Sequence, residues 1–395
     1  MLAYSGGLDT SVAVKWMQEK YSAEVVTVTV DVGQQEDLGK IEKNSKLVGA
    51  VKHYSIDARQ EFVQDYAFRA VKANALYEEK YPLSSALSRP LIVSKLVEVA
   101  RAEGATAVAH GSTGKGNDQV RFDVTIKSMA PDLKIIAPIR EWNLPRDEEI
   151  KYAERNGIPI PVDLDNPYSI DQNLWGRSIE CGVLEDPSHE APEEIFEWTV
   201  SPEKAPSSPE VMSIEFDEGV PRSIGGRKTQ PVEIVEMLNT KAGSHGIGRI
   251  DHMEDRLVGI KSRECYECPA ATVLLEAHKE LEKTVLTRHE LSFKQQVDTQ
   301  WTFLAYAGLW MDPLREDLEG FIDKTQKRVT GEVKLKLYKG SATIVSRSSP
   351  FSLYDSNLAT YNIETTFDQT WSSGFIEIWG LPTKVANILK AKGKR

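Results

Sequence analysis

Cysteine is scarce in this chain: three among 395 residues, Cys181, Cys265 and Cys268, too few and wrongly spaced for a disulfide framework. Cys265 and Cys268 form a Cys-x-x-Cys, but without a second pair no closed zinc site is expected, and the seven histidines show no metal-ligand spacing. His110 reads as a packed group rather than a catalytic base. No apolar run approaches the length that crosses a bilayer, and no basic, apolar leader opens the chain, so no membrane association and a cytoplasmic location are expected. Basic residues are outnumbered, 48 Lys and Arg against 59 Asp and Glu, for a net charge of −11. That balance works against sequence-independent binding of nucleic acid. A kinase-type phosphate loop is also missing. The nearest stretch, HGSTGKGND at 110–118, follows Ala109 and carries Gly116 where the motif requires Gly and Ser/Thr, which disfavours γ-phosphoryl transfer.

What the chain does have is AYSGGLDTS at 3–11. Gly6 and Gly7 permit positive φ and close approach to an anion, a helix starting near Asp9 directs free N–H groups into the same space, and Ser5, Thr10 and Ser11 add hydroxyls. The turn is suited to pyrophosphate. Through residue 165 strands and helices alternate, which predicts a mostly parallel sheet covered on both faces. Strands are expected at Leu2–Tyr4, at Val26–Val32, near Val51–Ile56 and at Ala107–His110, and Pro90 is expected to open a helix running to about Glu103. Val120–Met129 fits strand and helix equally well. In such a sheet Ser5–Asp9, Val30–Gly33 and Gly111–Asp118 should converge beyond the strand ends. Past Pro161 the pattern changes, with hairpins turning at Gly219 and at Lys339-Gly340 and helices near 231–241, 270–285 and 293–307. The tail from Asp368 carries Trp371, Phe375, Ile378 and Trp379 before a last helix. Docking on another subunit or folding back on the same chain would cover them.

Five blocks, AYSGGLDTS, ALYEEKYPLSSALSRP, HGSTGKGNDQVRF, NPYSIDQNLWGRSIECGVLE and GRIDHMEDRLVGIKSRECYECPA, together resemble the argininosuccinate synthase family. The resemblance implies an α/β fold: a parallel, doubly wound nucleotide-binding domain at 1–165, an α+β synthetase domain at 166–365 and a helical oligomerisation tail at 366–395. It further implies ATP-dependent ligation of citrulline and aspartate, Mg²⁺ with the nucleotide, and a homotetramer. Ala3, Tyr4, Ser5, Gly6, Gly7, Leu8, Asp9, Thr10 and Ser11 would bind ATP, with Val30 lining the adenine pocket and Gly111 approaching the nucleotide. Thr113, Asn117 and Asp118 resemble the aspartate site. Tyr81, Ser85, Ala86, Asn117, Arg121, Ser169, Ser178, Glu254 and Tyr266 resemble the citrulline site, Arg121 gripping the carboxylate and Glu254 facing the ammonium. Ser5, Asp9, Asn117 and Asp118 are the residues expected to carry the chemistry.

By residue type alone, Ser169 and Ser178 suit turns or caps, Asp118 and Arg121 a solvated helical pair, and Glu254 a charge at a helix start. The block context favours the functional reading of each. The chain also departs from the family's pattern. Only two residues precede Ala3, so a thin first strand is expected, Ala86 stands where many members have serine, and two thiols flank Tyr266. Two rival readings fit the glycine turn: an enzyme that modifies tRNA, which would need a basic surface, and a non-catalytic ATP-binding protein, which leaves the later blocks without a role.

Overall fold

The structure is a computed structural model that describes residues 1–142, 146–159, 167–362 and 365–393. Strands β1 (Leu2–Ala3), β2 (Val26–Asp31), β3 (Lys52–Asp57), β4 (Ala107–Ala109) and β5 (Lys134–Ile136) form one parallel sheet in the order β3-β2-β1-β4-β5. The order runs away from β1 in both directions, so the crossover reverses between β1 and β4. Sheets of this class take ligands at that switch point, beyond the carboxyl ends of the strands. β2 shows why the sheet is central: Thr27, Val28, Thr29 and Val30 are all buried, although the sequence alternates threonine with valine. The threonine hydroxyls are satisfied internally, Thr29 Oγ1 donating to Tyr4 O at 2.6 Å and Thr27 Oγ1 meeting Ser45 Oγ at 2.6 Å. β1 is two residues long, and the Met1 ammonium donates to Ala107 O beside it.

Three segments differ from, or decide, the sequence expectation. Pro90 does not open its helix; it lies inside one that runs Ser84–Ala102. Ser84, Ser85 and Ser88, ahead of the expected start, are buried there, the Tyr81 hydroxyl accepts the Ser85 N–H at 2.9 Å in place of a conventional cap, and Ser88 Oγ donates to Ser85 O. Pro90 lacks the N–H that would have bonded the Ala86 carbonyl, and burial outweighs that loss. The ambiguous stretch after Asn117 is a helix, Asp118–Met129, whose inward stripe is Arg121, Phe122, Thr125 and Ile126. Its periodicity was hidden because a charged residue occupies the buried face. The run around Phe62–Val71 is helical but widens to a π-helical turn over Phe62–Ala67.

The expected domain start near Asn166 lies outside the described residues. Beyond it, β6 (Tyr168–Asn173), β7 (Gly176–Cys181), β11 (Arg249–Asp255) and β12 (Lys261–Glu267) make an antiparallel sheet in the order β11-β12-β7-β6. A second one, β10-β9-β8-β13-β14, includes the two expected hairpins, β8 (Glu210–Asp217) with β9 (Val220–Ile224) and β13 (Gly331–Tyr338) with β14 (Ser341–Ser348), while β10 is Arg227–Lys228. Helices Pro231–Ser244, Pro269–Val285 and Arg288–Tyr306 match the predicted helical stretches. Residues Met1–Phe351 form one compact unit. Within it the turn of the β6–β7 hairpin meets the end of β2, Leu174 N donating to Val32 O at 3.0 Å, and the Trp175 indole donates to Pro82 O at 2.8 Å.

Ser352–Arg395 form the second unit, with helices Ser356–Ala359, Trp371–Trp379 and Leu381–Ala391. Its large apolar side chains are uncovered: Trp371 is 65% exposed, Ile378 75% and Trp379 68%.

Candidate active site

The glycine turn sits between β1 and the helix Leu8–Tyr21. Gly6 has φ +80°, and a Cβ there would lie 3.0 Å from Ile41 Cγ1, so glycine answers both a left-handed backbone and a close approach. Gly7 is the extended residue before the helix, and among the described residues no side chain caps that helix start. An uncapped helix N-terminus presents N–H donors and a positive dipole end to an anion. Around it Ser5 Oγ meets Thr10 Oγ1 at 3.2 Å, Gly7 N donates to Ser5 Oγ at 3.4 Å, and the Tyr4 hydroxyl meets Ser11 Oγ at 2.9 Å. Leu8 is buried under the turn, Asp9 lies in the first helical turn, Ala3 ends β1, and Val30 is buried near the end of β2. Gly111, after β4, lies so close that a Cβ on it would be 3.1 Å from Thr10 Cγ2. The turn and the Gly111 loop therefore meet at the switch point.

From Gly111 the chain passes exposed Thr113 to Asn117, where the character of the site changes. Asn117 is buried, its Nδ2 donating to Tyr306 OH at 2.8 Å and lying 3.4 Å from Glu254 Oε1, while its Oδ1 accepts Leu257 N–H at 2.8 Å. Glu254, on β11, accepts from Tyr266 OH and from Tyr306 OH, both at 2.5 Å. It is a buried strand residue, not a charge at a helix start. Tyr266 stacks on Tyr81 with ring centroids 4.3 Å apart, and Tyr77 stacks on Tyr306 at 3.5 Å. Burial, and then the Glu254 charge, push the Tyr266 and Tyr306 phenols well above their ordinary value, so both remain donors.

A second cluster adjoins the first. Asp118 accepts from Arg89 Nε at 2.9 Å, Arg89 Nη2 at 2.7 Å and Arg121 Nη1 at 3.0 Å. Arg89 also donates to Asp171 at 2.6 Å, and Ser85 Oγ donates to the same carboxylate at 2.6 Å. Burial works to raise the Asp118 carboxyl, but the Arg89 and Arg121 guanidinium groups outweigh it and hold it at about 2. Arg121 is no solvated surface residue: it is 4% exposed, with Nε donating to Tyr306 O at 3.0 Å and Nη2 buried without a hydrogen-bond partner among the described residues. Ala86 is buried in the helix beside Ser85. Ser178 lies opposite Tyr266 across β7 and β12 and donates to Asp171 O at 3.3 Å. Ser169 is exposed on β6, two residues before Asp171 on the same face. Both serines are strand residues rather than caps.

Two groups flagged by the sequence stand outside this arrangement. His110 has both ring nitrogens engaged, Nδ1 accepting from Ser112 N–H at 3.2 Å and Nε2 meeting Asp123 Oδ1 at 2.7 Å, which fits a packed residue. Cys265 and Cys268 are buried in different apolar clusters, and burial pushes the Cys265 thiol up to about 12 and that of Cys268 higher still. Neither is set up as a metal ligand or a reactive thiolate.

A turn that presents donors to an anion at the switch point, with the loop from Gly111 leading from it to a cluster of carboxylates, guanidinium groups and phenols, can bind a nucleotide and amino-acid substrates side by side. Two family models divide the chain between them: the arginosuccinate synthase N-terminal HUP domain matches residues 1–159 and the arginosuccinate synthase C-terminal domain matches residues 168–386. The chain belongs to the argininosuccinate synthase family. It is similar to the argininosuccinate synthase of Pyrococcus furiosus, 59% identical over 386 residues that make up 98% of this chain and 93% of that one. It is 56% identical to that of Oceanobacillus iheyensis over 100% of this chain and 95% of the other, and 55% identical to that of Bacillus subtilis over 99% and 97%. An argininosuccinate synthase is a ligase that forms argininosuccinate from citrulline and aspartate with ATP, giving AMP and pyrophosphate.

Four groups in this cluster were not singled out in the sequence: Arg89, Asp171, Tyr77 and Tyr306. Arg89 and Asp171 lie inside recognised blocks, yet their pairing joins β6 to the helix Ser84–Ala102 and no spacing announces it. Tyr306 lies beyond the fifth block, at the end of an amphipathic helix.

Proposed function

We propose that this chain ligates citrulline to aspartate with ATP by way of a citrullyl-adenylate. The observation that carries this reading is the Asn117 amide, which ends the loop that starts at Gly111 beside the glycine turn and bonds Tyr306 while lying beside Glu254. It joins the nucleotide end to the amino-acid end. In the proposed reaction the ureido oxygen of citrulline attacks the α-phosphate of ATP and pyrophosphate leaves. The aspartate amine then attacks the ureido carbon, loses a proton, and AMP departs with the former ureido oxygen. No protein nucleophile is needed, so the chain's task is to align substrates and stabilise charge.

In this reading Ala3–Ser11, Val30 and Gly111 bind ATP, Ser5 and Asp9 acting at the phosphates. Thr113, Asn117 and Asp118 hold aspartate. Tyr81, Ser85, Ala86, Asn117, Arg121, Ser169, Ser178, Glu254 and Tyr266 hold citrulline, with the unpartnered Nη2 of Arg121 directed at its carboxylate. Residues 1–165 serve the nucleotide, 166–365 the amino acids and 366–395 assembly. Among the described residues no cluster of three or more His, Cys, Asp or Glu side chains could hold a metal ion. Mg²⁺ keeps waters and favours phosphate oxygens, so it enters as part of the Mg-ATP substrate, where it supplies charge neutralisation. No helix among the described residues is long and apolar enough to cross a membrane, which together with the acidic charge supports a cytoplasmic enzyme without a nucleic-acid partner. The uncovered apolar faces of Trp371–Trp379 and Leu381–Ala391 support a homotetramer whose tails cover one another; sedimentation of the intact chain reads its mass directly.

Isotope transfer tests the route. Citrulline labelled with ¹⁸O in the ureido group is expected to deliver the label to AMP and none to pyrophosphate. Unlabelled AMP, with the label recovered in water or in pyrophosphate, would rule the adenylate out.

A further inference from the structure

Tyr306 ends the helix Arg288–Tyr306 and touches three of the residues assigned above. Its hydroxyl lies 2.5 Å from Glu254 Oε1 and 2.8 Å from Asn117 Nδ2. A phenol has one proton to give and can accept another. Donating to the carboxylate, with the Asp255 carbonyl farther off at 3.0 Å, and accepting from the amide uses both capacities, and it fixes which way the amide points: Asn117 Oδ1 is already taken by Leu257 N–H at 2.8 Å. The main-chain carbonyl of the same residue is among the last of its helix, without an onward partner in the ladder. It accepts Arg121 Nε at 3.0 Å, and the Tyr306 ring lies 5.0 Å from that guanidinium. A cation at the negative end of a helix is favourably placed. The turn that follows is fitted to the same neighbour. Gly308 has φ +73°, and a Cβ there would lie 2.7 Å from Arg121 Cα, so any other residue would push the Tyr306 carbonyl off its partner.

We propose that Tyr306 is a positioning residue for the ligation: it sets Asn117, Arg121 and Glu254 in one geometry, so that citrulline and aspartate meet in register. This rests on the assignment of those three residues to the amino-acid substrates. Asn117 comes from the loop after β4, Arg121 from the helix Asp118–Met129 and Glu254 from β11. Tyr306 contacts all three, and nothing in its contacts involves the glycine turn.

The test is steady-state pyrophosphate release by the full chain carrying Tyr306→Phe, with citrulline, aspartate and ATP varied in turn. Phenylalanine keeps the ring and the backbone carbonyl and removes only the hydroxyl. The KM values for citrulline and aspartate are expected to rise about tenfold or more, in line with a lost hydrogen bond to a charged group, while the KM for ATP stays within about twofold. A Tyr306→Phe/Glu254→Gln double variant is expected to be much less impaired than the product of the two single effects, because the first removes and the second weakens the same charge-assisted contact. Equal increases in all three KM values, or multiplicative effects in the double variant, would overturn the role and leave a structural one. If wild-type enzyme turns over with citrulline and Tyr306→Phe matches it, only the role of Tyr306 falls. If wild type releases no pyrophosphate with citrulline, the parent assignment falls and this proposal with it.

Discussion

Replacing Arg121 with leucine is expected to raise the citrulline KM by roughly 30-fold to a few thousand-fold, the equivalent of about 2–5 kcal/mol for a buried charge left without its partner. Two of the three guanidinium nitrogens are already committed, Nε to Tyr306 O and Nη1 to Asp118 Oδ1, while Nη2 is buried without a partner among the described residues. A guanidinium so tethered cannot swing away to solvent. Its remaining N–H groups are therefore presented in a fixed direction, which suits a substrate carboxylate. Arg121→Lys is expected to recover only part of the loss, because an ammonium cannot keep both tethers and still present donors in a planar fork. The ATP KM should stay near wild type, since no contact links Arg121 to the glycine turn. A citrulline KM unchanged in Arg121→Leu would remove that residue from the site.

Asp118→Asn is expected to damage both stability and aspartate binding. The wild-type carboxylate balances Arg89 and Arg121 at 2.7–3.0 Å. An amide offers one acceptor oxygen and turns its NH₂ towards a guanidinium, leaving excess positive charge in a largely enclosed space. Breaking a buried pair in this way costs about 3 kcal/mol, which urea unfolding reads directly. The aspartate KM should rise roughly 100-fold or more for the loss of a paired charge. The sign of the pH dependence follows from the carboxyl being held down at about 2, against about 3.9 in an unfolded chain. A depressed pKa means that the stabilisation is fully present above pH ~4 and is lost as the pH falls through the folded-state value. The stability difference between wild type and Asp118→Asn should therefore be flat from pH 5 to 8 and shrink between pH 4 and 2. A difference that grew on acidification would contradict the pairing.

Much of this architecture is legible in the residues, because its strongest signals are local. The glycine turn, the alternation of strands and helices over the described residues up to 159 and the hairpins at Gly219 and Lys339-Gly340 each rest on short-range chemistry, and each is found. What escaped the sequence depends on partners far along the chain. The helix start ahead of Pro90 escaped because contacts from elsewhere enclose it, Ser85 Oγ donating to Asp171 and Asn173 Nδ2 to Ser84 O. Asp118–Met129 gave no clear period because Arg121, a charged side chain, lies on the buried face, and that burial is what equips it for a site. Tyr306 and Asp171 are ordinary by composition. Their importance comes from contacts to residues 189 and 82 positions away, a distance that no window along the sequence spans.

The proposal that one site brings nucleotide and both amino acids together is tested most directly by pyrophosphate release from Mg-ATP with citrulline alone, aspartate alone, both, or neither. Multiple turnovers are expected only with both amino acids, accompanied by equal amounts of AMP and argininosuccinate. With citrulline alone, release should stop at no more than one pyrophosphate per site, because the adenylate has no amine to accept it. Sustained release without aspartate, or none under any combination by a chain that still binds ATP, would contradict the claim.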